Sequence, residues 1–506
     1  MKKILMVALG AGLLLGACSK DYLDISSTRY ISKSDIDEIS KYSPHLKDGS
    51  LNGLYAYNML AFSGGTTGHD DFGQKGYDIY TDMLSGDMNL NSAIYGWYRG
   101  IANFTDMQNY AANPNFKPWR FYYFMIRSTN QIITDFAGVD GKKIPESDKD
   151  KAVVAEAKAL RAYMYYNLVN MYTLGYDANE KILPIYTAPV AFNTPAKHTQ
   201  EVYALMIDDL KESLALYEAA GRATMNQRRT VDYNVAQAML AYVYASKGTN
   251  EALVEAARLS EDVMAKYPLA TKDVLVKGFN KVNDNPNWMW SGVIDLQTNL
   301  DLVSWWGQVD IYTYSYAAVG DTKGISRDLF EAIPDNDVRK QQFKEGPEFE
   351  DINGDSEDYG ELSILPVGKF FASDGKILMG ARIIQSDYVY MRVEEMYLLN
   401  AEVNARLNND GVAQTTLKKF MEIRLPDVSY IDGLSGSALL DEILLQTRIE
   451  FWGEGKTYAA IKRNKKDFKY GSNHLYYSNN IIPYNDARVT FKVPQAEILN
   501  NPVYNN

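Results

Sequence analysis

The sequence predicts a mainly α-helical fold in which tetratricopeptide-like helix pairs alternate with long, loop-rich inserts carrying a few short strands. Three observations point there. Apolar residues recur at three- and four-residue spacing over many segments, the period of a helix with one buried face. Two of these segments form a unit of helix, glycine turn, helix and terminating proline over about 34 residues, the plan of a tetratricopeptide repeat. The segments between the helical groups change composition, towards Gly, Asp, Tyr and Trp.

The chain begins with a different signal. Lys2 and Lys3 precede an apolar run over residues 4–15, and the small Gly16 and Ala17 stand directly before Cys18. That order marks a secretory signal peptide over residues 1–17, too short to persist as a membrane span. Leu15-Gly16-Ala17-Cys18 also resembles a bacterial lipobox, in which diacylglycerol is attached to the thiol. Two or more acyl chains anchor stably where one does not. Cys18 is the only cysteine of the 506 residues, so no internal disulfide competes for it. The expectation is lipidation at Cys18, with residues 18–506 forming a single exported body held at a membrane.

The helical scaffold is expected at about residues 150–270 and 391–463. Over residues 150–172, Ala155, Ala159 and Ala162 share a stripe beside Tyr163, Tyr166 and Val169. Over 200–219, Val202, Leu205, Met206, Leu210, Leu214 and Tyr217 share a face. Residues 233–246 and 251–266 read as two helices parted at Gly248 and stopped by Pro268. Residues 391–407, 412–424 and 439–463 make a third group. Alanines four apart, Ala241 with Ala245 and Ala401 with Ala405, let neighbouring helices approach closely.

The inserts lie at about residues 61–100 and 280–390, with strand-like runs at 363–367 and 388–391. Loops this long inside a compact domain are functional or disordered, and their aromatic content argues for order. There are 38 Tyr against 18 Phe, and tyrosine joins a flat apolar face to a polar tip. Most tyrosines are expected between helices.

Charge and motifs exclude several functions. A net charge of −12 argues against nucleic acid, because no basic run is long enough to neutralise a phosphate backbone. The four histidines, His45, His69, His198 and His474, form no H-E-x-x-H, which argues against zinc catalysis. No nucleophile elbow, Walker A loop or dinucleotide fingerprint is present. A glycosidase needs only two carboxylates, which no motif reveals.

The inserts do hold what sugar recognition requires, flat aromatic faces beside polar side chains that orient hydroxyls. Trp97-Tyr98-Arg99 follows a polar stretch with Asp82, Asp87, Asn89 and Asn91. Trp305-Trp306 is flanked by Asp301, Gln308 and Asp310, and Tyr312, Tyr314 and Tyr316 alternate as a strand would place them on one face. Trp97, Tyr98, Arg99, Trp305, Trp306, Tyr312 and Tyr314 are therefore the candidate ligand-binding residues. Trp288 and Trp290 share a strand face, with Trp290 expected in the core, and Trp452 is expected to be structural. Asp351, Asn353 and Asp355 alternate like calcium ligands, but Gly is missing at the sixth position and Leu362 replaces Glu at the twelfth. A solvated acidic loop is the better reading there, with calcium the weaker one and no other cofactor expected.

Four stretches resemble the SusD/RagB family of Bacteroidetes outer-membrane lipoproteins. They are Glu156-Ala157-Lys158-Ala159-Leu160-Arg161-Ala162-Tyr163, then Arg392-Val393-Glu394-Glu395-Met396-Tyr397-Leu398-Leu399-Asn400-Ala401-Glu402, then Arg448-Ile449-Glu450-Phe451-Trp452-Gly453-Glu454-Gly455-Lys456, and last Val493-Pro494-Gln495-Ala496-Glu497-Ile498 with Asn501-Pro502. Cys18 with Tyr22-Leu23-Asp24 behind it fits too. Gln446-Thr447 stands where a Glu-Arg pair is expected, which puts one ion pair in doubt, and residues 171–175 stretch the ending of the early helix. The resemblance implies a SusD-like fold, with four tetratricopeptide-like pairs supporting a loop-rich half. It also implies a non-enzymatic lid over a SusC-like TonB-dependent transporter, delivering glycans at the outer membrane and facing the cell exterior. A peptide-binding member of the same family, or a glycoside hydrolase on the same scaffold, are the alternatives. The family's sugar contacts lie on no shared motif, so none is carried over.

Overall fold

The computed structural model describes residues 49–190, 193–346, 348–350, 356–358, 360, 362–371 and 382–505. The chain divides into two compact units, residues 1–53 and 54–506. Of the first, only residues 49–53 are described, and they are helical. The expected signal peptide, Cys18, and the calcium candidates Asp351, Asn353 and Asp355 lie outside the described residues.

In the second unit, helix α1 (Gln74–Ser85) leads into the short strand β1 (Met88–Leu90). Helices α2 (Asn113–Ala137), α3 (Asp148–Tyr172), α4 (Thr199–Ala219), α5 (Tyr233–Lys247) and α6 (Asn250–Met264) follow, and from α3 onward each packs on the one before it. A long insert then holds strand β2 (Trp288–Gly292), the short helix α7 (Trp305–Val309), strand β3 (Lys323–Ile325) and strand β4 (Tyr388–Arg392). The chain re-enters the scaffold as α8 (Glu394–Arg406), which packs on α6 as if the insert were absent. Helices α9 (Asp410–Met421), α10 (Gly436–Glu450) and α11 (Thr457–Arg463) complete the scaffold, and α11 returns to pack on α1.

Local chemistry sets these boundaries. Ser147 caps α3 by accepting from the Asp150 amide at 3.0 Å, with Asp148 and Asp150 in the first turn where the helix dipole favours acids. Asp232 caps α5, Gly248 ends it in the left-handed region at φ 71°, and Thr249 caps α6 at once. The alanine stripes do what their spacing suggests, since Ala155, Ala159, Ala162, Ala241, Ala245 and Ala401 are fully buried between helices. Arg161 then reaches across from α3 to α4 and donates two hydrogen bonds to Asp209, at 2.7 and 2.6 Å.

Two expected helices change form. Met391 and Arg392 belong to β4, so the helix expected from residue 391 starts at Glu394. The segment 439–463 is two helices rather than one, because Gly453 (φ 80°) and Gly455 (φ 71°) take a backbone conformation that no helix interior allows. Strand β4 pairs antiparallel with β2, and the bulged register sets Met391 opposite Trp290 and Arg392 opposite Trp288. Both tryptophans are buried, as is Trp452.

The break between α10 and α11 carries a buried charge network. Glu450 Oε1 accepts from Arg392 and Arg424, each at 2.7 Å, while Oε2 accepts from Arg424 at 2.7 Å and Arg339 at 3.2 Å. Burial alone would raise the Glu450 carboxyl, but the Arg424 and Arg392 guanidinium groups outweigh it and hold the group well below the ordinary range. Glu454 accepts from Arg392 and from Lys369 at 2.8 Å, and the same contest leaves its carboxyl at about 2. Gln446 also has a place here, since its Oε1 accepts from Arg339 at 2.5 Å where a carboxylate was expected. One network thus ties the insert (Arg339, Lys369, Arg392) to the helical scaffold (Arg424, Glu450).

Candidate functional site

Strands β1 and β3 build the base of the candidate site. They pair antiparallel, with Met88 opposite Ile325 and Leu90 opposite Lys323. The ladder continues through the Asn91 amide to Thr322 O at 2.9 Å, so residues 91–98 and 316–322 emerge side by side at one edge. Asp321 fixes the turn between them. Its Oδ1 accepts from the Tyr95 amide at 2.8 Å and the Gly96 amide at 3.3 Å, and its Oδ2 accepts from Trp97 at 3.0 Å. Gly96, at φ 83°, permits the bend.

That turn presents a cluster of rings. His69 and Trp97 stack with centroids 5.1 Å apart and planes 1° from parallel. Tyr316 lies beneath them, edge-on to His69, Trp97 and Tyr95, and its hydroxyl is 2.6 Å from His69 Nδ1. Tyr95 is 58% exposed, and Phe62, 42% exposed, extends the patch on the far side of His69. Behind the patch, buried Lys323 donates to Asp321 O at 3.0 Å, and its Nζ lies 5.1 Å from the centre of the Tyr98 ring. Burial pushes this amine down to about 7.

His69 also forms one wall of an open cleft of about 600 Å³. The floor is apolar, from Met59, Leu60, Leu300 and Val303, and the 295–301 loop adds Gln297, Thr298, Asn299 and two carboxylates. A volume of about 300–1,000 Å³ with an apolar body and a few polar groups is usual for small-ligand sites.

The structure separates the residues predicted from sequence. Trp97 is half-buried within the patch, and Tyr314 is half-buried beneath Arg382, whose guanidinium lies 4.1 Å from the ring centroid. Arg99 is exposed and donates back to Ala93 O at 2.7 Å. The others are core. Trp305 and Trp306 are each 1% exposed, and both pack edge-on against Phe370. Trp306 Nε1 donates to Ser386 O at 2.9 Å. No ligand can stack on either ring, and the expected Trp305-Trp306 platform is corrected to a packing element between α7 and β4. Tyr98 is buried against Tyr80, and Tyr312 is buried with its hydroxyl donating to Val367 O at 3.0 Å. The expected strand alternation of Tyr312, Tyr314 and Tyr316 is absent, because hydrogen bonds such as Tyr316 N to Gly307 O at 2.8 Å fold that run into turns.

Phe62, His69, Tyr95 and, apart from Asp301, the 295–303 cleft loop were not singled out from sequence. Tyr95 stands two residues before Trp97, and that proximity was the only available signal. His69 joins the patch across the fold. Among the described residues no group of three or more His, Cys, Asp or Glu is placed to hold a metal ion.

Two family profiles match the chain. One, described as the SusD family, covers residues 350–504, and the other, described as starch-binding associating with outer membrane, covers residues 65–254. Between them they take in all four sequence stretches that carry the resemblance. The chain belongs to the SusD/RagB family. As a SusD/RagB member it is a binding protein rather than an enzyme, with a carbohydrate-binding, SusD-like role and an association with the outer membrane. Solved structures agree on the fold. A SusD-like carbohydrate binding protein from Bacteroides vulgatus is 22% identical, with TM-score 0.73, over 90% of this chain and 96% of its own. SusD superfamily proteins from Bacteroides thetaiotaomicron (20% identical, TM-score 0.71, 90% and 98% covered) and Bacteroides fragilis (20%, 0.70, 92% and 99%) are similar in the same way. No curated protein matches.

Proposed function

We propose that this SusD/RagB chain is a lipid-anchored glycan-capture protein of the outer-membrane surface. It would hold oligosaccharide at the Tyr95–Trp97–His69 patch and adjoining cleft and pass it to a SusC-like TonB-dependent transporter. The supporting observation is the patch itself, the exposed Tyr95 ring and the half-buried Trp97 and His69 rings set at a carboxylate-pinned turn beside a cleft that carries amide and hydroxyl side chains. Pyranose rings offer C–H faces to aromatic planes and hydroxyls to such polar groups. Pinning by Asp321 reduces the ordering cost of binding.

Affinity electrophoresis against a panel of polysaccharides tests the binding. Retardation by at least one glycan, abolished in a Tyr95→Ala, Trp97→Ala variant, is expected, and no retardation by any glycan would overturn the reading. The anchor and partner have their own tests. Metabolic labelling with palmitate should mark the wild-type chain and not Cys18→Ala, and the variant should leave the membrane fraction. Affinity purification from solubilised outer membranes should recover the transporter.

A further inference from the structure

The charges around the cleft bear on what kind of sugar chain it admits. Its described lining supplies two carboxylates, Asp295 and Asp301, and no cation. Asp295 is tied into its own loop, its Oδ1 accepting from the Gln297 amide at 2.9 Å, the Thr298 amide at 3.0 Å and the Thr298 hydroxyl at 3.1 Å. Those bonds, the one from the Thr298 amide first, hold its carboxyl below the usual range, so it is charged at neutral pH.

Among the described residues, the nearby cations lie outside the lining of the cleft. Arg382 lies over the Tyr314 ring and faces Asp301 at 3.6 Å. Arg99 donates to the carbonyl of Ala93. Lys323 is buried behind the patch with its amine on Asp321 O and Gln308 Oε1. An anionic sugar laid from Trp97 into the cleft would bring its carboxylate or sulfate towards Asp295 and Asp301, with no cation in the described lining of the cleft to receive it. Screening acts over about 8 Å at physiological salt, so repulsion at contact distances survives. A neutral sugar meets no such penalty, and its hydroxyls can bond to Gln297, Thr298 and Asn299.

Building on the carbohydrate-binding reading, we propose that this site takes neutral, hydroxyl-rich glycan chains spanning the patch and the cleft, and rejects uronate- or sulfate-bearing polyanions. The two subsites share His69, so one chain can occupy both.

The test is affinity electrophoresis of the mature chain in native gels containing neutral polymers (starch, galactomannan, mixed-linkage β-glucan, arabinan, levan) or polyanions (polygalacturonate, alginate, chondroitin sulfate), at low and high salt. The expected result is retention by a neutral polymer at least about 10-fold tighter than by any polyanion, insensitive to salt. The Asp295→Asn, Asp301→Asn variant should narrow that gap. Retention by a polyanion as strong as by any neutral polymer, weakened by salt and by Arg382→Ala, would overturn the proposal while leaving glycan capture standing. Retention by no polymer would overturn both.

Discussion

His69 and Trp97 stack in parallel, 5.1 Å between centroids, although 28 positions of sequence separate them. Each ring stiffens the other, and the hydroxyl of Tyr316 fixes the imidazole from below. A binding surface held this way loses little freedom when a ligand arrives. The pair also joins the aromatic patch to the cleft, since His69 belongs to both.

Trp97→Ala should weaken glycan binding by about 10-fold, the scale of one aromatic contact of about 1.4 kcal/mol, and should barely alter the urea midpoint. Trp305→Ala should do the reverse. Removing a ring that is 1% exposed should cost about 3–5 kcal/mol of stability. Calorimetric titration paired with denaturation of both variants checks this, and a stable Trp305→Ala protein that binds no glycan would contradict the assignment.

Asp321→Ala should leave three turn amides, those of Tyr95, Gly96 and Trp97, without their acceptor. The outcome expected is a fall in glycan affinity and faster hydrogen exchange at these amides, with Asp321→Asn recovering part of both. Exchange mass spectrometry reads the positioning role directly.

Glu450→Gln should be severe. Three guanidinium groups in the core lose their shared negative partner, and breaking a buried pair from one side costs about 3–5 kcal/mol. Both Glu450 and Glu454 have folded values below their unfolded ones, so their contribution is present above about pH 4.5 and is lost as pH falls below that, for Glu454 towards 2. In Glu454→Gln, the acid limb of a stability–pH curve should be shallower over that window.

His474 titrates against folding at higher pH. Burial pushes its imidazole down to about 4, and Nδ1 accepts from the amides of Tyr476 and Tyr477. Between pH 6.5 and 4 the unfolded chain takes up a proton that the native state refuses, so stability falls as pH falls, by up to about 3 kcal/mol. His474→Asn keeps an acceptor and should flatten the curve there.

Lys323 acts in the same direction at higher pH. Its folded value of about 7 lies below the unfolded 10.5, so the unfolded state holds the extra proton across that window and stability rises with pH through it. Lys323→Met should remove the rise, seen as equal urea midpoints at pH 7 and pH 10.

Much of the scaffold was legible from sequence because its signals are local. Periodicity and the glycine at 248 act within a turn or two of the helices they define. The Gly453–Gly455 break was misread as helix because a positive φ is a property of the folded path, even though both glycines were visible. Gln446 was placed in doubt for lacking a charge, yet its carbonyl serves Arg339 as an acceptor.

The binding surface followed a different rule. Composition located aromatic-rich inserts, but whether a ring faces water depends on what packs over it. Phe370 and Tyr388 arrive from distant sequence to bury Trp305 and Trp306, while nothing described covers Tyr95 to the same extent. By itself the sequence determined the helical repeat, the family and the residue types available for sugar recognition, since spacing and composition carry those. Only the tertiary structure decided which aromatics form the surface, because exposure is a relation between segments and His69 meets Trp97 only once β1 and β3 have paired.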